Sequence, residues 1–298
     1  MTLSVAPEFM PRVRRNEPMS RHTSWHAGGP AELYFSPRDR ADLASFLRTL
    51  PQGTEVHWIG LGSNLLVRDG GVRGVMISSQ SALDRLDRVS ESIVYCEAGV
   101  PCARLARQCV RWGFSQAEFF AGIPGTLGGA LAMNAGAFGG ETWKQVVDVE
   151  TIDRCGNERR REAAEFEAGY RHVQGLPEGE WFLSAHLRFE RKGDSSEAKV
   201  RSLLEQRKAT QPIGAWSCGS VFTNPPGDHA ARLIESAGLK GYKLGDASVS
   251  DKHANFIINH GHATASELEQ LIEHVQNTVE SVHGVRLHPE VRVIGDQV

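Results

Sequence analysis

The run from Gly122 to Gly140, GIPGTLGGALAMNAGAFGG, carries almost no charge and almost no side-chain bulk. A Pro124-Gly125 turn leads into a potential helix start, with Thr126 as candidate N-cap. Glycine at this density destabilises an ordinary helix or strand by roughly 0.5–1 kcal/mol per residue, so the run is not built as a plain core element. Composition favours close approach of a ligand, above all a phosphate held by backbone N–H groups and a helix N-terminus. Tight packing of helix on sheet is the other explanation. A second glycine loop, Gly60-Leu61-Gly62-Ser63-Asn64, follows a strand-like segment, where phosphate loops usually sit. It fails the dinucleotide fingerprint, because Leu65 stands at the third glycine position and no helix obviously follows. The phosphate-loop pattern G-x-x-x-x-G-K-[ST] is absent too, so a plain strand-to-strand turn is an equal reading of this loop.

Polar side chains elsewhere carry less information by themselves. Ser220 reads as a turn residue opening a strand, Arg171 as a surface arginine and Glu290 as an exposed carboxylate before a strand. Lys208 reads as the end of a solvated helix, and Lys252 with His253 either binds phosphate or packs a turn. Cys96, Cys102, Cys109, Cys155 and Cys218 form no CxxC pair, and His260 and His262 join no acidic or cysteine cluster, so no metal site is expected. The cysteines are expected as buried free thiols in a reducing cytoplasm.

The elements that must position these residues follow from patterning. Residues 1–20, with Pro7, Pro11 and the arginines from Arg12 to Arg15, read as a loosely held arm without a signal-peptide core. Strands are expected at Ala31–Phe35, Val56–Ile59, Leu65–Val67 and Val75–Ile77, the last two continuing a βαβ-like unit. A helix is expected over Arg38–Leu50, started by Ser36-Pro37, and another over Pro101–Trp112, closed by Gly113. Strands at Ile93–Cys96, Val146–Ile152 and Trp181–Phe189 follow, with the charged Arg154–Glu167 segment at the surface. A polar linker at Arg191–Ser196 separates a small α+β region. That region has strands at Ser220–Phe222, Asn255–Ile258 and Val291–Ile294. Its helices are Asp228–Ala237 and the one opened by the capping box Thr264-Ala265-Ser266-Glu267 and ended by Gly284. A net charge of −3 supplies no broad basic field for nucleic acid or a membrane surface. No segment approaches the roughly 18 apolar residues of a membrane span.

Several motifs, in order, resemble the UDP-N-acetylenolpyruvoylglucosamine reductases. They are Gly60–Asn64, Gly122–Ala130, Met133–Ala137, Cys218–Pro225, Lys252–Phe256 and Leu287–Arg292, and together they span about Thr23 to Gly295. The resemblance implies an α+β chain with an FAD-binding fold of the vanillyl-alcohol-oxidase type. Its FAD domain covers 21–192 as two subdomains split near residue 80, and a substrate-binding domain covers 193–298. Gly60, Gly62, Ser63, Asn64, Gly122, Ile123, Pro124, Gly125, Thr126, Gly129, Asn134 and Gly136 would contact non-covalent FAD. NADPH would be the co-substrate in a cytoplasmic step of peptidoglycan precursor synthesis. Hydride would reach C3 of the enolpyruvyl group of a UDP-sugar and a proton would reach C2. Hydride addition places charge in an enolate conjugated with the substrate carboxylate, which calls for a cation and a hydrogen-bond donor facing it. By motif match Arg171 is the cation, Glu290 its acidic partner and Ser220 the proton donor, while Lys208, Asn224 and Lys252 lie near the sugar diphosphate. Ping-pong kinetics are expected.

The chain departs from the family at His172-Val173, after the matched arginine, and at Gly245-Asp246-Ala247. It lacks a tyrosine-bearing insertion between Arg171 and Trp181, so it resembles the subgroup without that loop. An FAD-dependent carbohydrate or alcohol oxidase would often attach its flavin through histidine or cysteine, and the glycine run contains neither. A non-catalytic flavin- or nucleotide-binding protein would give no reason for Ser220, Arg171 and Glu290 to occur together.

Overall fold

The structure, a computed structural model, describes residues 3–80, 82–191 and 196–298. The chain divides into two compact units, one made of residues 1–14, 34–61 and 76–206 and the other of residues 15–33, 62–75 and 207–298. Each unit is discontinuous in sequence. The expected linker boundary at Lys192-Gly193 lies outside the described residues.

The first unit is built on a five-stranded sheet in the order Glu158–Glu162, Val146–Asp153, Glu180–Arg188, Ile93–Glu97, Leu86–Arg88, with every neighbouring pair antiparallel. Alternation along the strands sorts the side chains to two faces. Val149, Ala185 and Cys96 stand opposite one another and are fully buried, packed with Leu105, Cys109 and Leu131 from the helices Cys102–Arg111 and Leu127–Ala132. On the other face Ser184 donates to Glu150, and Arg40 donates to Glu150 (2.7 Å) and to the Tyr95 hydroxyl (2.8 Å). Burial works to raise the Glu150 carboxyl, but the hydrogen bonds from Ser184 and Arg40 outweigh it and hold it below the usual carboxylate range.

Two sequence expectations change here. The helix expected from Arg38 runs over Arg40–Thr49, because Asp39 rather than Ser36 caps it, its carboxylate accepting from Asp42 N–H at 2.8 Å. The residues read as a loose arm form a 3-10 helix at Pro7–Arg12 and a strand at Val13–Pro18. Phe9 is buried, edge-on to Phe46 at 5.2 Å, and Phe46 stacks on Phe35 at 3.8 Å. The prolines and arginines suggested solvent; the aromatic ring between them is what anchors the segment.

In the second unit the long helix Ala265–His283 begins with the expected capping box and ends at Gly284, whose φ of 67° closes it in the left-handed region. Asp69 accepts from both Ala265 N–H (3.0 Å) and Ser266 N–H (2.8 Å), satisfying two more donors of the first turn. Leu268, Leu271, Ile272, Val275 and Val279 form its buried face, each contributing about 1.5–3 kcal/mol on burial. They pack with Trp25, Val221, Leu233, Val249 and Ile257. A three-stranded antiparallel sheet, Lys243–Leu244, Ala247–Val249 and Ile257–Asn259, completes the layer. Leu65–Val67 does not continue a βαβ unit; it pairs in parallel with Arg292–Ile294. The expected strand at Ser220–Phe222 is replaced by a single bridge between Phe222 and Pro289. The described cysteines are free thiols, four buried and Cys155 exposed, which corrects the expectation that all are buried.

Asp42 gives a direct test of the Pro7–Arg12 anchoring. Burial works to raise this carboxyl, but Arg38 N–H (3.0 Å) and the bidentate Arg12 guanidinium (2.9 and 2.8 Å) outweigh it and lower it. Its stabilising contribution is therefore complete above the unfolded-state carboxylate pKa and disappears as pH falls through the lowered native value. Asp42→Asn should reduce unfolding stability by about 1–3 kcal/mol at neutral pH. In urea titrations across the acid range, the difference from the parent should close as pH drops.

Candidate functional site

The glycine run folds as the sequence suggests up to a point. Thr126 occupies the N-cap of the short helix Leu127–Ala132, but its side chain makes no capping hydrogen bond. The first donors of that helix are already engaged: Leu127 N–H donates to Val100 O at 2.9 Å and Gly128 N–H to Ala98 O at 2.8 Å. Gly128 is glycine because a Cβ there would lie 2.9 Å from Ala98 Cβ, so helix and sheet meet without a side chain between them. Gly122 is similarly crowded by Phe138, and Gly136 by Gly140 O. Gly129 differs. It is exposed, and a Cβ built on it meets nothing within 4 Å. The packing explanation of the run thus holds at Gly128, while Gly129 presents the open backbone face that the ligand explanation requires. Pro124 is exposed beside it, with Gly125 partly buried and Ile123 and Thr126 buried.

Gly60 lies against the same helix start, since its Cβ would fall 2.5 Å from Thr126 Oγ1. In the second unit, Gly62 takes φ 61° against His22 O, and its own carbonyl accepts from Ser24 N–H at 3.0 Å. Ser63 and Asn64 complete the turn into Leu65–Val67.

Arg171 occupies a place that pattern reading missed. Strands Glu167–Gly169 and His172–Gln174 form a hairpin with Gly169 opposite His172, and Tyr170-Arg171 is its two-residue turn. Arg171 adopts φ 56°, unusual for a residue with a side chain. Its guanidinium donates to Gly136 O at 3.2 Å and lies 5.3 Å from the Tyr170 ring centre. Asn134, buried and itself at φ 46°, ties the two segments: its amide donates to Gly169 O (2.9 Å) and accepts from Trp143 N–H (3.0 Å). Val173, at the family departure, packs on the core of the first unit. Arg171, Asn134 and Gly136 are thus brought together.

The segments that carry Ser220 and Glu290 meet through backbone at the residues beside Ser220. Glu290 N–H donates to Val221 O at 2.7 Å, and Thr223 N–H donates to His288 O at 3.0 Å. Asn64 Nδ2 donates to Glu290 O (3.0 Å), while Arg292 N–H donates to Asn64 O (3.1 Å). Burial above all pushes the Cys218 thiol, two residues before Ser220, up from its ordinary value. Gly219, at φ 81°, joins that buried thiol to the half-buried Ser220. Lys252 Nζ donates to Lys208 O in the last turn of the helix Glu197–Thr210, so these two expected phosphate ligands are neighbours, both exposed. Asn224 Oδ1 accepts from Ala230 N–H at 3.1 Å, at the start of the helix Ala230–Ser236. Asp246 takes the turn between Lys243–Leu244 and Ala247–Val249 and accepts from the His260 and His262 N–H groups, at 2.9 and 2.6 Å. Among the described residues no group of three His, Cys, Asp or Glu side chains could hold a metal ion, and no helix is long and apolar enough to cross a membrane.

Comparison with known proteins gives this geometry a context. Residues 31–160 match the family model for an FAD binding domain, and residues 211–294 match the model for the C-terminal domain of UDP-N-acetylenolpyruvoylglucosamine reductase. The UDP-N-acetylenolpyruvoylglucosamine reductase of Alkalilimnicola ehrlichii is 60% identical over 286 residues, covering 95% of each chain. That of Methylococcus capsulatus is 54% identical over 282 residues, covering 94% of this chain and 92% of its own. The crystal structure of the Thermus caldophilus enzyme matches with a TM-score of 0.81 at 30% identity, over 98% of this chain and 99% of that one.

The two adjacent glycines should separate under mutation. Gly128→Ala should lower the stability of the flavin-free protein by about 1–3 kcal/mol, since Ala98 cannot yield without moving the sheet. Gly129→Ala should leave it unchanged or raise it by up to about 1 kcal/mol through helix propensity. Thermal melts of the flavin-free variants make the comparison; equal losses at both positions would show that Gly129 is also a packing glycine.

Proposed function

The chain belongs to the UDP-N-acetylenolpyruvoylglucosamine reductase family and is an FAD-binding oxidoreductase, and we propose that it carries out the family reaction through Arg171, Ser220 and Glu290. The substrate is the enolpyruvyl ether of a UDP-amino sugar, the product its lactyl ether, and the reductant NADPH, in the cytoplasm. The observation that supports the assignment is the 2.7 Å hydrogen bond from Glu290 N–H to Val221 O, which joins the Glu290 backbone to that of the residue after Ser220.

The residues present fit a bound flavin nucleotide. Gly129 offers backbone with no side chain and open space beyond it, next to the Pro124-Gly125 turn. The Gly60 and Gly62 loop and Asn134-Gly136 are the other proposed contacts, as the resemblance assigns them. When bound, FAD supplies hydride to C3 of the enolpyruvyl double bond after taking it from NADPH.

The remaining work belongs to side chains. Charge builds on the substrate carboxylate as C3 is reduced, and a guanidinium meets a carboxylate with two parallel donors. Arg171 is suited to this because Gly136 O and the adjacent hairpin fix its direction, leaving little rotamer entropy to lose. Glu290, as the protonated acid, donates a hydrogen bond to the enediolate as it forms. Ser220 Oγ–H then gives its proton to C2, the C2 electron pair forms the C–H bond, and solvent reprotonates the alkoxide. A serine hydroxyl is a weak acid, so its orientation must be set in advance. Lys208, Lys252 and Asn224 hold the sugar diphosphate, the two lysines through charge. An oxidase on the same fold is not favoured, given the extent of the match to the reductases.

The purified protein should carry a visible flavin spectrum and consume NADPH in proportion to added enolpyruvyl UDP-sugar, with parallel-line initial-rate kinetics. Gly129→Ala should retain less flavin on gel filtration. Ser220→Ala should leave flavin reduction by NADPH within about twofold while slowing reoxidation by the sugar about 100-fold or more. Equal losses in both half-reactions would remove Ser220 from this role.

A further inference from the structure

We propose that Asn255 is a positioning residue that sets the geometry between Ser220 and Glu290. The inference rests on the roles given to those two residues above and adds a third that acts on them through backbone hydrogen bonds. Asn255 is 4% exposed. Its amide makes a reciprocal pair with the backbone of Phe222: Nδ2 donates to Phe222 O at 2.8 Å, and Oδ1 accepts from Phe222 N–H at 3.0 Å. Its own carbonyl accepts from Val221 N–H at 2.9 Å. Three hydrogen bonds from one residue therefore fix the two residues that follow Ser220.

Among the described residues no regular sheet holds the segment. Phe222 bridges Pro289, and Val221 uses its carbonyl for Glu290 and its N–H for Asn255. Val221 and Phe222 are 0% and 2% exposed, so each backbone group left without a partner would lose about 1–3 kcal/mol. Asparagine is the side chain whose donor and acceptor are spaced like a peptide group and can close both ends of one residue. Exchanging its oxygen and nitrogen would set donor against donor and acceptor against acceptor, so the hydrogen-bond pattern fixes the orientation. With Cys218 buried on one side and Val221 on the other, Ser220 projects from a short span pinned at both ends. Asn255 pins the far end, and through Val221 O it also sets where Glu290 N–H docks.

Asn255→Asp tests this with little change of shape. The carboxylate keeps the bond from Phe222 N–H and loses the one to Phe222 O. Reoxidation by the enolpyruvyl UDP-sugar should slow by about 30- to 100-fold, the penalty of misplacing a reacting group by roughly an ångström. Flavin reduction by NADPH should stay within about twofold. In a Ser220→Ala background the same substitution should add less than about tenfold, because only the Glu290 side of the geometry is left to position. Asn255→Ser, which retains a smaller hydroxyl donor, provides the same comparison if the aspartate variant does not fold. Loss in both half-reactions alike, or full additivity with Ser220→Ala, would overturn the proposal. If Ser220→Ala alone leaves reoxidation unimpaired, the assignment of the proton donor fails and the positioning role falls with it. If Ser220→Ala is slow while both Asn255 variants reoxidise normally, the positioning role alone fails.

Discussion

Much of the chemistry assigned to this protein depends on the carbonyl of Val221, which accepts the Glu290 N–H at 2.7 Å. That bond joins two segments some seventy residues apart in sequence. It is one of the two bonds of the antiparallel bridge between Phe222 and Pro289, the other being Thr223 N–H to His288 O, and among the described residues no more extended ladder reinforces the pair. Its surroundings do: Asn64 holds the Glu290 carbonyl, Asn255 holds Val221 and Phe222, and Arg292–Ile294 is zipped to Leu65–Val67. Each of these bonds is individually worth about 0.5–1.5 kcal/mol, and it is their shared geometry that restricts Ser220 and Glu290.

The first unit solves a different problem with different residues. A phosphate-bearing ligand needs backbone at its surface, yet backbone without side chains is poorly held. The helix Leu127–Ala132 answers by tying its first donors to Val100 and Ala98 and closing on the sheet at Gly128, leaving Gly129 outward. The asymmetry between the two adjacent glycines lets one short helix be both firmly anchored and approachable. Arg171 follows the same logic. Its left-handed backbone and the carbonyl of Gly136 restrain a side chain that would otherwise sample many rotamers.

What could be read from sequence was what local pattern determines. The capping box at Thr264, the apolar stripe that follows and the closing Gly284 defined a helix whose observed bounds match, because those signals act within a few residues. The FAD reading came through the ordered motifs, and the match of residues 31–160 to an FAD binding domain agrees with it. What escaped was non-local. Pro7–Arg12 looked like an arm since nothing near it in sequence shows that Phe9 meets Phe35 and Phe46. Ser220–Phe222 looked like a strand since its apolar residues are buried, but its partners are an asparagine side chain and a loop. The turn at Tyr170-Arg171 lacked the glycine or asparagine that usually announces one. Asn255 sat inside a motif used for recognition, with no local sign that its amide would stand in for a strand.

The most direct test of this account is an anaerobic single turnover. The protein is reduced with one equivalent of NADPH, freed of nicotinamide and mixed with the enolpyruvyl UDP-sugar while flavin absorbance and product are followed together. Recovery of the oxidised spectrum with a stoichiometric yield of the lactyl ether, deuterated at C2 when the reaction is run in deuterium oxide, is the predicted result. A flavin that stays reduced in the presence of the sugar and reoxidises only when oxygen is admitted would contradict it.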